Sequence, residues 1–217
     1  MKIIYAYILI YYFLGGCKNT ESNSSESYES LENGNLDSTF MSDNSVLELT
    51  AEQKFLQIKE TLIAEGWEEE TIQNGPFPVC FNFIPVTGTI LNYLDVHVGG
   101  GTDVALKLMD THSNRCIRYV FINSRSNFKI ENIPEGQYYL KIAYGKNWLS
   151  KISNGQCVGK FIKNPLYEKG EDVLNYNRQY NDDGFSIPSF RLELDVIETG
   201  ISNSFNAFSI TEDEFNR

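Results

Sequence analysis

Positive charge is scarce in this chain of 217 residues: 18 lysines and arginines stand against 29 aspartates and glutamates, a formal net charge of −11. Contact with a phosphate backbone needs a basic face, so composition argues against a nucleic-acid partner. Histidine is scarcer still, with two copies, and no two of the four cysteines stand at a short ligand spacing. Tetrahedral metal sites are built from such spacings, and no metal or other cofactor is expected. No apolar run reaches the ~20 residues that a membrane-spanning helix needs. A nucleophile elbow is missing as well, because Gly184-Phe185-Ser186-Ile187-Pro188 lacks the closing glycine of G-x-S-x-G. Without that elbow the run His97-Val98-Gly99-Gly100-Gly101 has no oxyanion role, and its glycines are expected in a hairpin connection or a bulge. His112 falls in a polar turn, and Asp182-Asp183-Gly184 offers too few carboxylates for a calcium loop. The chain is therefore not expected to be an enzyme.

What is present begins at the N-terminus. Lys2 precedes an apolar stretch over residues 3–14, which closes on Leu14-Gly15-Gly16-Cys17. A basic start, a short apolar stretch and small residues at a cleavage point make a secretory signal peptide over 1–16. The two glycines disfavour helix where a peptidase needs extended backbone. With cysteine following them, the segment resembles the lipobox of bacterial lipoproteins. That resemblance implies a diacylglyceryl thioether on Cys17 and attachment to a membrane of the cell envelope. Lys18, where an inner-membrane retention signal has aspartate, implies the outer membrane more than the inner, facing the periplasm or the surface.

Three further segments follow. Residues 17–48 are rich in serine, glutamate and aspartate and poor in apolar side chains. Such a segment cannot bury enough surface to offset its ordering entropy, so a disordered acidic tether is expected. Residues 49–74 hold an amphipathic helix and a junction. Thr50 and Gln53 are spaced as a capping box, Ala51, Phe55, Ile58 and Leu62 recur at helical spacing, and Gly66 stands where a C-terminal cap belongs. One face of the helix is expected to pack on the following domain. Residues 75–217 read as short strands separated by turn residues, a mainly β domain of the sandwich class. Expected strands include 79–84, 92–98, 103–109, 116–122, 127–130, 137–144, 158–162 and 189–196, with a weaker one over 204–210. Asn181-Asp182-Asp183-Gly184 reads as a turn joining two strands, and 211–217 as an acidic, frayed end.

In Phe128-Lys129-Ile130-Glu131-Asn132-Ile133-Pro134-Glu135-Gly136-Gln137-Tyr138-Tyr139-Leu140-Lys141-Ile142, Pro134 and Gly136 suit a tight turn. Beyond it Tyr138, Leu140 and Ile142 share one strand face and Gln137, Tyr139 and Lys141 the other, which predicts one dry and one wet face. The run resembles the F-x-I-x-N-[IL]-P-x-G-x-Y-x-L pattern of prealbumin-like domains, the transthyretin-like sandwiches also called carboxypeptidase regulatory-like. The likeness covers about residues 92–145 and implies a non-catalytic scaffold with no site residues to carry over. From the residues themselves, Tyr139 on the wet face and Trp148 in a Gly-Lys-Asn-Trp loop are the candidate binding aromatics. Cys80, Cys116 and Cys157 allow one disulfide and leave one thiol, with all three pairings open. The expected function is a lipid-anchored binding or assembly module with a protein or glycan partner. The alternatives are an immunity- or inhibitor-type lipoprotein that neutralises a toxin or enzyme, and an enzyme-accessory or carbohydrate-binding domain.

Overall fold

The structure, a computed structural model, describes residues 49–197 and 200–217. The expected signal peptide over 1–16, the Cys17 lipid site and the tether over 17–48 lie outside the described residues. Helix α1 (Ala51–Ala64) opens with the expected reciprocal cap: Gln53 N–H donates to Thr50 Oγ1 at 3.2 Å, and Thr50 N–H donates to Gln53 Oε1 at 2.8 Å. At its far end Gly66, with φ +85°, lets its own N–H reach the Ile63 carbonyl and the Trp67 N–H reach the Leu62 carbonyl, each at 3.0 Å. The expected packing of the apolar stripe is partial: Phe55 and Leu62 are half-buried, and the Lys163 ammonium lies 5.1 Å from the Phe55 ring centroid. No helix residue is buried, and Leu56, Ile58 and Ile63 stand about half exposed.

The rest of the described chain is mainly β. In chain order the strands are β1 (Glu68–Glu69), β2 (Gly75–Pro76), β3 (Tyr93–Val98), β4 (Asp103–Asp110), β5 (Cys116–Ile122), β6 (Asn127–Glu131), β7 (Gln137–Ser153), β8 (Gln156–Gly170), β9 (Leu174–Asn175), β10 (Gln179–Asn181), β11 (Gly184–Ser186), β12 (Phe190–Ile197), β13 (Gly200–Asn203) and β14 (Ala207–Ser209). A large sheet runs β14-β8-β7-β4-β5-β2, with β1 and β9 added along β7. A small sheet runs β13-β12-β3-β6, in which β12 lies parallel to β3. β10 and β11 pair only with each other. Leu94 and Val96 of β3 and Leu192 and Leu194 of β12 share one core with Leu106, Leu108, Leu140 and Ile142 of the large sheet.

The outer face of the large sheet is dry too, which overturns the expected wet face of β7. Phe77, Tyr119, Phe121, Trp148, Phe161 and Phe215 form a second cluster there, and Lys107 and Lys141 are buried beneath it. Two segments outside the sheet supply the cover. The expected strand over 79–84 is instead a 3₁₀ turn, Val79–Phe81, set off by Pro78 and by Asn82 at φ 55°. It lays Phe77 and Phe81 on the sheet. The expected frayed end is instead a docked helix, α2 (Glu212–Asn216), whose Phe215 is 1% exposed. Cys80 of the turn is bonded to Cys157 of β8, which ties this cover to the β7–β8 hairpin, and Cys116 keeps its thiol.

Trp148 needs a correction as well. It is not in a loop but inside β7 at 3% exposure, with its ring 4.9 Å from Phe161 and 5.2 Å from Phe77. Gly145 and Asn147 do not end the strand; the register shifts between Tyr144 and Lys146, and the strand bends and continues. The glycines 99–101 likewise make no hairpin, because they carry the chain from β3 in the small sheet to β4 in the large one. Close approach demands them: a Cβ on Gly101 would meet the Val196 carbonyl oxygen at 1.8 Å, and one on Gly99 the Asp195 carboxylate at 2.0 Å.

Two outcomes follow from the second core. Trp148→Ala should cost about 3–5 kcal/mol by urea unfolding, whereas Tyr139→Ala, at a half-buried site, should cost about 1 kcal/mol; equal losses would contradict this placement. Burial holds the Lys107 ammonium down at about 8, so above that pH the unfolded chain binds more protons than the folded one. Stability should therefore rise by about 1 kcal/mol from pH 8 to 9. Lys141 is lowered in the same direction by its own burial. The gain should reverse at higher pH, as the Cys116 thiol, pushed up to about 11 by burial, and the buried tyrosines remain protonated only in the folded state. Lys107→Met should abolish most of the rise in melting temperature between pH 8 and 9.

Candidate functional site

Tyr176 is where the chain leaves the core to form the most exposed aromatic feature of the described residues. Its ring is fully buried against Tyr138 at 5.9 Å and Phe190 at 5.0 Å. Its N–H donates to the Gly136 carbonyl at 2.8 Å and its hydroxyl to the Tyr93 carbonyl at 3.3 Å. At the other end of the excursion, Ser189 Oγ accepts the Tyr93 N–H at 3.2 Å. Both ends of the segment are thus fixed to one residue at the start of β3, and the β10–β11 hairpin is carried between them.

The hairpin closes through Asp182 and Asp183. Asn181 Oδ1 accepts the Asp183 N–H at 3.2 Å, and Gly184 takes the positive φ of 137°. Tyr180 and Phe185 face each other across the two strands, with ring centroids 6.1 Å apart. Tyr180 is 77% and Phe185 52% exposed. The Arg178 guanidinium lies 4.7 Å from the Phe185 centroid, and its Nε is 3.0 Å from Glu135 Oε1. Glu135 sits in the Pro134–Gly136 turn and also accepts the Arg178 N–H at 3.3 Å. The result is a Tyr–Phe–Arg surface held out from the sheets but fixed at its base. An arginine already paired and stacked loses less freedom on binding than a free one. The apolar surface still exposed on the two rings, more on Tyr180 than on the half-covered Phe185, is favourable to bury.

The residues singled out from sequence do not gather here. Trp148 is core. Tyr139 is half-buried on the outer face, its hydroxyl 3.3 Å from Asn114 Oδ1 and its ring 4.8 Å from the Lys169 ammonium. His112 is exposed in the β4–β5 turn. His97 is hydrogen-bonded to Asp95 at 3.0 Å on the small sheet, opposite Glu193 of β12 in register. Among the described residues no group of three or more His, Cys, Asp or Glu side chains is placed to hold a metal ion. A cavity of about 450 Å³ is lined by residues including Glu68, Glu69, Glu70, Phe81, Lys151 and Ile152. Two of its carboxylates are engaged, Glu69 by Lys59 and Glu70 by Ser150, each at 2.6 Å.

Tyr180, Phe185 and Arg178 were missed from sequence, although a signal existed. One aromatic stands on each side of a short Asn-Asp-Asp-Gly turn, and Ile187 alone alternates with Phe185 as an apolar partner. A hairpin of that composition has little core face of its own, and its two rings stay exposed. Replacing both rings should therefore be nearly free of structural cost: Tyr180→Ala with Phe185→Ala should shift stability by about 0.5 kcal/mol or less. Tyr176→Ala should cost about 3–5 kcal/mol in the same urea titration. A large loss from the double variant would mean that the hairpin belongs to the core.

Comparison with protein-family models, with curated proteins and with solved structures finds no match for this chain.

Proposed function

We propose that this chain is a non-catalytic, lipid-anchored binding module of the cell envelope, built on a prealbumin-like β-sandwich, with the β10–β11 hairpin as its contact surface. The observation that carries this reading is the exposed Tyr180–Phe185 pair, braced by Arg178 and rooted through Tyr176. Tyrosine and arginine dominate the energetics of protein contacts because each combines a large flat surface with a polar end. That favours a protein partner over a glycan. The scaffold part of the reading rests on Phe128 to Ile142, whose two strands, β6 and β7, fall in different sheets around one core. The anchor part rests on Leu14-Gly15-Gly16-Cys17. A neutralising, inhibitor-type role is the second reading, favoured by the net charge of −11, which would draw a basic partner at rates that fall with salt.

Two measurements test the proposal. Metabolic labelling with a fatty acid should mark the wild-type chain, and Cys17→Ser should remove the label and release the protein from the membrane fraction. A photo-cross-linking residue at Asp183, on the exposed turn, should give an adduct of defined mass in intact envelopes. Tyr180→Ala with Phe185→Ala should abolish that adduct without changing fractionation. An adduct that survives the double variant rules out the hairpin as the contact; an unlabelled wild-type chain rules out the anchor.

A further inference from the structure

The last seven residues, 211–217, sit on the outer face of the large sheet in the manner of a bound peptide. After β14 the ladder with β8 stops, and the Ile210 N–H makes a last backbone bond to the Tyr167 carbonyl at 3.0 Å. Beyond that point the segment's backbone N–H groups bond within it, Phe215 to Thr211 at 3.0 Å and Arg217 to Asp213 at 3.1 Å. Helix α2 has five residues, too few to persist without support. Thr211 and Glu214 cap its start reciprocally. Everything that ties it to the sheet comes from side chains.

Those ties amount to a recognition site. The Phe215 ring fills a pocket beside Tyr119 at 6.1 Å and Tyr167 at 5.6 Å, with the Lys107 ammonium 4.6 Å from its centroid. Lys107 Nζ donates to the Phe215 carbonyl at 2.9 Å, and Lys141 Nζ donates to the Glu214 carbonyl. The Tyr167 hydroxyl donates to Glu212 Oε2 at 3.2 Å, and Lys160 stands 3.7 Å from the same carboxylate. One aromatic anchor, two main-chain carbonyls on ammonium groups and one carboxylate on a cationic rim are read together. Two buried lysines make a costly floor for a mere plug, since an ammonium out of water is disfavoured unless its donors are taken.

We propose that the outer face carries a groove for an acidic peptide with a phenylalanine anchor, that residues 211–217 occupy it as a displaceable strap, and that its ligand in trans is the same segment of a second copy of the chain. A site that fits a segment of its own chain fits that segment on a neighbour equally well, and the choice between them is set by effective concentration. Closure within one chain prevails in dilute solution. Exchange between copies grows where copies are crowded.

The test uses full-length chains and a labelled peptide of residues 211–217, followed by fluorescence anisotropy. Phe215→Ala, which empties the pocket of its anchor, should bind the peptide at least about tenfold more tightly than the wild-type chain, whose own strap competes. Adding Lys107→Met to that variant should weaken binding by about tenfold or more, as expected for loss of a hydrogen bond from a charged donor, and a peptide with alanine for its phenylalanine should not bind. Mixing the Phe215→Ala chain with a Lys107→Met chain should give a 1:1 complex by sedimentation that neither forms alone. A folded Phe215→Ala chain that ignores the peptide, or a mixture that stays monomeric, overturns the proposal. Should Phe215→Ala fail to fold, hydrogen exchange on the wild-type chain decides. The Phe215 and Arg217 amides should exchange much faster than those of β4 and β7, and exchange only at the global unfolding rate would show that the segment never leaves.

Discussion

Strands β4 and β7 bury side chains on both faces, and this obliges the chain to bring a cover from outside the sheets. An antiparallel sheet ordinarily keeps one face in water. Here the small sheet covers the inner face, while the outer one carries Tyr119, Phe121, Trp148 and Phe161. The cover comes from both ends of the domain: Phe77 and Phe81 from the segment before β3, and Phe215 from α2. The disulfide between Cys80 and Cys157 closes 77 residues of chain, so the early part of the cover cannot drift from the hairpin beneath it even when the local contacts open.

Double burial also explains the unusual polar interior. Lys107 and Lys141 alternate with apolar neighbours as they would on a solvated face, but the second layer leaves them no water, so their donors go to the carbonyls at the end of α2. On the inner face of β5, Arg118 is buried as well and donates to the Val86 and Asn132 carbonyls. Glu168, the one buried carboxylate among the described residues, accepts from the Tyr144 hydroxyl and from the Asn203 amide of β13. Burial raises its pKa, and the two donors let it join β8 to the small sheet. Each buried polar group thus holds a segment in place that apolar contact alone would leave free to slide.

Much of this was legible in the sequence where periodicity speaks for itself. The cap at Thr50 and Gln53 and the strands at Tyr93–Val98, Asp103–Asp110 and Cys116–Ile122 follow from spacing alone. What failed to show was the second layer. Alternation in β7 distinguishes two faces but cannot say what lies against the polar one, and Lys141 looked solvated for that reason. Gly145 and Asn147 looked like a turn because the same residues serve a bulge, so a strand of seventeen residues was cut short and Trp148 was left outside it. Thr211 and Glu214 carry the same capping spacing that located α1, but the segment is too short for a hydrophobic stripe to confirm it. In the candidate site the turn at Asp182 and Asp183 was readable, while the exposure of its flanking rings depended on knowing that they meet no core.

The parallel pairing of β3 with β12 has a consequence for how the protein comes into being. Leu94 lies beside Phe190 and Val96 beside Leu192, so the central strand of the small sheet waits for a neighbour synthesised nearly a hundred residues later. Until then the apolar side of β3 has no complete partner surface, and contacts of such long range form slowly. The small sheet therefore cannot be completed until β12 has been synthesised. Delayed folding of this sort keeps a polypeptide slack enough to be threaded through a narrow channel.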